Sequence, residues 1–254
     1  MYFILDLGNT NKKLAVLPPG DLLPEAFSGN AGNIESFPEI SLLTIREFTR
    51  KYPAIDACIL SSVISFPDSI VSWLRERFRF LEFDQHTALP VYNRYLSPGT
   101  LGKDRLAAAV AGSSVFPGEP VLVINAGTAL TYDLVTAGRE YLGGAISPGL
   151  QMRFRALHTF TGQLPLLDYT EIDFLTGNDT DKSVLSGVIN GMTAEMEGMA
   201  ASYRKEYPGL RIILSGGDLN YFVNRLKISI FAVPNIVIYG LQQILAFNDK
   251  KPLL

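Results

Sequence analysis

The sequence predicts an α/β protein built from two related halves. Short, β-prone apolar runs that end in glycine-bearing polar turns alternate with helix-prone stretches, the pattern of layered α/β architectures. The opening pattern also returns near the middle of the chain. Ile4-Leu5-Asp6-Leu7-Gly8 aligns with Val123-Ile124-Asn125-Ala126-Gly127, and each run continues into a polar turn and a returning strand. Strand–glycine turns are common, but this match stands at the start of each half, which reads as duplication. The length agrees: 254 residues allow one large domain or two of about 125. At 47% hydrophobic and 19% charged residues the chain can bury a sizeable core, which excludes disorder and collagen-like repetition.

Taken in order, residues 2–5 form a first strand, Gly8-Asn9-Thr10-Asn11 a turn and residues 13–17 a returning strand. Pro18, Pro19 and Gly20 end it. Residues 55–63 read as a buried strand. They carry Cys58, whose solitude excludes an intramolecular disulfide and which fits a buried thiol. Residues 69–78 form an amphipathic helix with Trp73, and the Ala-rich residues 101–115 a second helix with Asp104 in its first turn. Pro117, Gly118 and Pro120 then break the chain, so the halves are 1–117 and 118–254. In the second half residues 121–124 and 131–135 flank the turn Asn125-Ala126-Gly127-Thr128. Residues 183–203 are the longest helical pattern, spaced by Gly187, Gly191 and Gly198, and residues 210–214 run into the turn Ser215-Gly216-Gly217.

Several function classes drop out on composition. With 22 Lys plus Arg against 25 Asp plus Glu, a net charge of −3 supplies no polybasic footprint for nucleic acid. His86 and His158, with one Cys, cannot build a His/Cys zinc site, and surface or structural roles suit them; oxygen-ligated hard cations stay open. The apolar run at residues 2–7 is interrupted by Asp6 and followed by Lys12 and Lys13, the reverse of a signal-peptide layout. No run approaches the roughly 20 apolar residues of a membrane helix. A cytoplasmic protein without a membrane partner is expected.

Asp6-Leu7-Gly8-Asn9-Thr10-Asn11-Lys12-Lys13 is the most informative stretch. A carboxylate at a strand end can hold a hydrated Mg²⁺, Gly8 lets the backbone approach a phosphate, and Asn9, Thr10 and the turn amides can donate to it. Lys12 or Lys13 supplies positive charge. Read alone, the stretch is equally an ordinary hairpin turn. It is neither a Walker loop nor a dinucleotide fingerprint. Gly127-Thr128-Ala129-Leu130-Thr131 is its second copy, and two facing phosphate turns on duplicated halves define a nucleotide cleft. Ser215-Gly216-Gly217-Asp218 would be a third wall, against which a base or ribose lies. Gly102-Lys103-Asp104-Arg105 opens the Ala-rich helix. An Asp there is held as a carboxylate by the helix N-terminus, ready to accept a hydroxyl proton, and Arg105 can fork onto a carboxylate or phosphate. A capping Asp beside an exposed Arg is the plainer alternative.

Beyond these single readings, the ordered set resembles the type III pantothenate kinases of the acetate and sugar kinase, heat-shock protein and actin superfamily. The resemblance rests on Asp6-x-Gly8-Asn9-Thr10 with Lys13, Tyr95 before Gly102-x-Asp104-Arg105, Gly127-Thr128-x-x-Thr131, Thr180 before the long helix, Ser215-Gly216-Gly217, and Val233-Pro234-Asn235-Ile236-Val237-Ile238-Tyr239-Gly240-Leu241. These motifs span nearly the whole chain in family order. The resemblance implies duplicated RNase H-like (actin-like ATPase) halves and ATP-dependent phosphorylation of pantothenate, the first step of coenzyme A synthesis. Residues Asp6 to Lys13 would bind ATP and, through Asp6, its Mg²⁺, and Thr128 would make a second ATP contact. Asp104 would be the general base, and Tyr95, Gly102, Lys103, Asp104, Arg105 and Thr180 would hold pantothenate, whose carboxylate suits Arg105. A homodimer with the pantothenate pocket near its interface is also implied. One departure stands out: the family usually has Asp at position 125, where it helps to bind K⁺ or NH₄⁺. Asn125 keeps a carbonyl oxygen but no charge, so that site should weaken; a plain strand-end cap is the other reading.

Two rival functions follow from the same residues. A superfamily kinase for another small alcohol or acid would share the phosphate turns but has no need of Tyr95, the Gly102–Arg105 motif and Thr180. A nucleotide-binding regulator, of the kind described as transcriptional accessory factors, would need a route to DNA that the acidic balance and the missing helix-turn-helix signature do not offer.

Overall fold

The structure, a computed structural model, describes residues 1–8, 10–20 and 33–249. The first half opens with β1 (Tyr2–Leu7), β2 (Lys12–Leu17) and β3 (Asn33–Phe37), continues through α1 (Leu42–Arg50), β4 (Ala57–Ser62), α2 (Asp68–Arg77) and β5 (Arg79–Glu82), and ends in α3 (Lys103–Val115). The short β6 (Tyr92–Asn93) precedes α3. The second half repeats the plan: β7 (Val121–Ala126), β8 (Ala129–Val135), β9 (Glu140–Pro148), α4 (Leu150–Phe160), α5 (Thr180–Glu206), β10 (Arg211–Ser215), α6 (Leu219–Phe222), β11 (Phe231–Ala232) and α7 (Ile236–Asp249).

The duplication is visible in the sheets. The first has the order β3-β2-β1-β4-β5, and the second β11-β10-β7-β8-β9-β6. Read from β9 to β11, the second sheet matches the first strand for strand, with β6 added at its edge. In both, the leading strand pairs antiparallel with the next strand and parallel with the strand that follows the helical crossover. The register is equally matched. Asp6 lies opposite Lys13 and Ser61, while Asn125 lies opposite Thr131 and Ser215.

Alternate residues of the leading strands serve different cores, as the two-residue period of a strand requires when both faces are covered. Phe3, Leu5 and Leu7 join Ile45, Phe48, Cys58, Trp73 and Leu74 under α1 and α2, and the Cys58 thiol is buried as expected. Tyr2 and Ile4 instead face a central core shared with Val121 and Val123, built on α3 and α7. Leu122, Ile124 and Tyr132 pack outward against α4 and α5. Helix α3 is buried nearly all round, since it packs on α7 and on β7 and β8 together. That explains its run of alanines: larger side chains would hold these layers apart. At the α3–α7 crossing a Cβ on Gly240 would stand 1.8 Å from the Ala107 carbonyl oxygen. Overpacking of that kind costs about 1–3 kcal/mol or more.

Among the described residues, sequence patterning located six of the eleven strands and missed β3, β5, β6, β9 and β11, as well as helices α1, α4, α6 and α7. The edge strands β3 and β5 have no fully buried residue, so they lack the apolar run that marks β1 or β4. Helix α7 is largely apolar because it lies between α3 and the first sheet, so it shows little amphipathic stripe. The other boundaries differ by a few residues; the long helix, expected over 183–203, runs from Thr180 to Glu206.

Candidate active site

The two polar turns, at the ends of the leading strands of separate sheets, meet across the cleft. Thr10 Oγ1 and Thr128 Oγ1 lie 3.2 Å apart, so the β1–β2 turn touches the β7–β8 turn across the cleft. Each turn is tightly closed. The Gly8 N–H donates to the Asn11 carbonyl (3.1 Å), and the Gly127 N–H to the Ala129 carbonyl (3.1 Å). The third turn leans on the second: the Asp218 N–H donates to the Ala126 carbonyl (3.0 Å). Gly216 is essential to that approach. Its φ is +104°, and a Cβ would stand 2.0 Å from the same carbonyl oxygen. The next residue, Gly217, meets open space, which leaves that wall accessible.

Asp6 sits at the end of β1, where burial raises its carboxyl to about 6, against the opposing pull of Lys13 and with a further push from Asp104. Asp104 is therefore close enough to act on Asp6, although it belongs to α3. Lys13 is half-buried, and burial lowers its ammonium while Asp6 raises it. The Lys13 Nζ donates to Asn235 Oδ1 (2.9 Å). Asn235 adopts φ +58°, in the turn that begins α7. Asp218 has a carboxyl raised by burial to about 6. Leu7 serves the strand and not the cleft: its side chain is wholly buried and its carbonyl accepts the Val63 N–H (3.2 Å). Asn11 is exposed and Lys12 pairs across to Leu7 and Phe37. Asn9 lies outside the described residues.

At the start of α3, Gly102 is the N-cap, and a Cβ there would meet Asp104 Oδ1 at 2.6 Å. Asp104 itself is exposed, and its Oδ1 accepts the Arg105 N–H (2.9 Å). Arg105 is not the exposed residue that a simple helix start would give. It is 7% exposed, and its Nε donates to Asp133 Oδ1 (2.9 Å) on β8. Asp133 is fully buried and also accepts the Tyr141 hydroxyl at Oδ1 (2.8 Å) and the Thr131 hydroxyl at Oδ2 (3.1 Å). Burial raises the Asp133 carboxyl, and the Arg105 cation and the two hydroxyls oppose that rise. The Tyr95 ring completes the group, 5.8 Å from the guanidinium carbon and 6.2 Å from the Tyr141 ring.

The remaining expected site residues lie elsewhere within the chain. Lys103 lines a separate hollow of about 580 Å³ with Asp84, His86, Asn93 and Leu106. Thr180, the first residue of α5, lines another of about 990 Å³ with Arg153, Leu157 and Asp179. Neither hollow includes Tyr95, Asp104 or Arg105 among its walls. Asn125 is half-buried, paired across the sheet with Thr131 on one side and Ser215 on the other. Sequence reasoning missed Asp133, Tyr141 and the partnership of Lys13 with Asn235. The signal for the first was present: an acid inside the apolar run Tyr132-Asp133-Leu134-Val135 is a buried charge that must find a cation.

Comparison with known proteins agrees with this arrangement. Residues 2–202 match the family model for type III pantothenate kinase. The chain is 42% identical over 251 residues to the type III pantothenate kinase of Christiangramia forsetii, covering 99% of this chain and 100% of that one. It is 41% identical over 251 residues to the type III pantothenate kinase of Phocaeicola vulgatus, covering 98% and 100%. Among solved structures, a protein described as a Baf family transcriptional activator from Campylobacter jejuni superposes with a TM-score of 0.58 at 17% identity, covering 98% of this chain and 100% of that one. A glucokinase from an Antarctic psychrotroph does so with a TM-score of 0.51 at 13% identity, covering 96% and 98%. These two likenesses concern the fold, the actin-like ATPase architecture of sugar kinases.

The raised Asp6 carboxyl has a consequence for stability. Its pKa is 3.8 in the unfolded reference and about 6 in the fold, so between those values the folded state binds more protons. The contribution of Asp6 is most favourable below about pH 4 and is lost as pH rises through 6. In metal-free buffer, Asp6→Asn should therefore melt at a higher temperature than the natural protein at pH 8, with the gap closing towards pH 5. Calorimetry over that range checks it, and a gap that widens on acidification would contradict the assignment.

Proposed function

The chain belongs to the type III pantothenate kinase family, and from that premise we propose that it transfers the γ-phosphoryl group of ATP to the primary hydroxyl of pantothenate in the cleft between the two sheets. The observation that carries this reading is the meeting of the two turns at Thr10 and Thr128, with Asp6 and Asp104 in the same cleft. The β1–β2 and β7–β8 turns hold the phosphates from opposite sides, through turn amides, Thr10 and Thr128. Lys13, steadied by Asn235, adds positive charge. Tyr95, Gly102 and Arg105 hold pantothenate at the start of α3. Asp104 orients the alcohol: one carboxylate oxygen is tied to the Arg105 N–H, leaving the other to face the hydroxyl and take its proton. Phosphoryl transfer is loose, so positioning and charge neutralisation carry most of the acceleration, and the base acts late.

The residues fit a divalent cation that arrives with the nucleotide. Among the described residues no group of three or more His, Cys, Asp or Glu side chains could hold a resident ion, but Asp6 is an acid held at a raised pKa beside a second acid, a setting that a cation relieves. Asp6 would hold Mg²⁺ through its water shell, and the ion would supply charge neutralisation on the phosphates. The cytoplasm, with its ATP pool, is the expected site of action. Among the described residues no helix is long and apolar enough to cross a membrane.

The direct assay is incubation with ATP, Mg²⁺ and pantothenate, with 4′-phosphopantothenate as product; a related kinase would leave pantothenate untouched and phosphorylate a sugar or acetate instead. Asp104→Asn should lower turnover about 10²–10⁴-fold while leaving binding of both substrates nearly intact. Near-normal turnover would reduce Asp104 to a helix cap.

Asn125 should free the enzyme from much of the family's need for K⁺ or NH₄⁺, because hard-cation affinity follows ligand charge. Turnover in Na⁺, K⁺, NH₄⁺ and a bulky organic cation at constant ionic strength should vary little, and Asn125→Asp should introduce dependence. Strong K⁺ activation of the natural protein would sink this.

A homodimer accounts for the separation of Thr180 from Tyr95 within one chain, since a second copy can bring the start of α5 to the pantothenate pocket. The glycines 187, 191 and 198 on α5 meet nothing within 4 Å and leave room for close packing. Light scattering at assay concentration should give twice the chain mass; an active monomer would remove Thr180 from the pocket.

A further inference from the structure

Asp133 is a fully buried acid in the middle of a strand, and nothing in the transfer of phosphate uses it directly. Its surroundings are nonetheless built with care. Oδ1 receives the Arg105 Nε at 2.9 Å and the Tyr141 hydroxyl at 2.8 Å, and Oδ2 the Thr131 hydroxyl at 3.1 Å. Arg105 Nη2 also stands 2.8 Å from Oδ1, yet this buried nitrogen makes no well-directed hydrogen bond. The carboxylate is thus pinned by two hydroxyls from β8 and β9 and cannot turn to meet the guanidinium as a two-oxygen fork. Arg105 is held edge-on against one oxygen. That leaves Nη1 as the terminal nitrogen not bonded to Asp133, on a guanidinium that also lies over the Tyr95 ring and interacts with the Tyr95 side chain.

We propose that Asp133 is a positioning residue for substrate: pinned by Thr131 and Tyr141, it fixes the Arg105 guanidinium so that its far edge, beside Tyr95, receives the substrate's carboxylate. A guanidinium is rigid and planar, so fixing one edge fixes the direction of the other. Its charge is already balanced by Asp133, so recognition of the carboxylate depends on direction more than on net charge. Thr131 lies on the strand that leaves the second phosphate turn, so the same carboxylate ties the pantothenate arginine to the nucleotide wall. This inference rests on the reading of Arg105 as a pantothenate contact.

The test compares pantothenate with its alcohol analogue, in which the carboxylate is replaced by a hydroxymethyl group. The ratio of kcat/KM for the two substrates on one preparation does not depend on how much of it is folded. The natural protein should prefer pantothenate by roughly 10–100-fold, the worth of a charge-assisted hydrogen bond. Arg105→Gln should abolish the preference. Asp133→Asn should cut it about tenfold or more through KM for pantothenate, with KM for ATP little changed. Tyr141→Phe, which removes one pin and leaves the ion pair, should shift it in the same direction by less, and carries the test if Asp133→Asn does not fold. Should Arg105→Gln abolish the preference while Tyr141→Phe and any folded Asp133→Asn keep it whole, Asp133 is only structural and the proposal is overturned. Should Arg105→Gln itself keep the preference, the reading of Arg105 fails, and the proposal with it.

Discussion

The backbones of α3 and α7 cross so closely that no side chain fits between Ala107 and Gly240, and the rest of the arrangement depends on that contact. Each helix ends one half of the duplicated plan, and each leans across: α3 onto β7 and β8, α7 onto β1 and β4. Because both leading strands back onto this pair through the central core, their ends emerge side by side. Thr10 and Thr128 then meet at hydrogen-bond distance, and α3 delivers Asp104 and Arg105 to the same region. A bulkier helix pair would separate the turns by the thickness of a side chain.

Within this shared frame the two copies have parted chemically. Position for position, the first half offers Asp6, Lys13 and Ser61 and the second Asn125, Thr131 and Ser215. At these matched positions the first half therefore carries charge of both signs and the second only neutral polar groups. The division suits a phosphate chain and its divalent ion, which need charge on one side and directed donors on the other. The acceptor half of the site is not duplicated at all. In the proposed reading it is assembled from the start of α3 and from Asp133 and Tyr141 in the second sheet, joined by the Arg105–Asp133 ion pair between halves.

Much of this was legible in the chain. The repeat of Asp6-Leu7-Gly8 and Asn125-Ala126-Gly127 foretold the paired sheets, because a strand buried on both faces must be apolar until it reaches the cleft, where polarity returns. The family motifs marked nearly every segment that the fold brings to the cleft. What stayed hidden depends on contacts between distant segments. That Arg105 is buried follows from Asp133, 28 positions away; that Lys13 is held follows from Asn235, 222 positions away. Helix α7 was masked because it is largely apolar, packed between α3 and the first sheet. Thr180 carries a family motif, yet in one chain it belongs to a different hollow, which no local pattern could reveal.

The central claim is that both turns hold one nucleotide together, and amide hydrogen exchange tests it most directly. On adding a non-hydrolysable ATP analogue with Mg²⁺, the amides of residues 8–13 and of residues 127–131 should slow together, with the same dependence on nucleotide concentration. Protection confined to one of the two turns, or appearing at neither while the protein still transfers phosphate, would contradict the account.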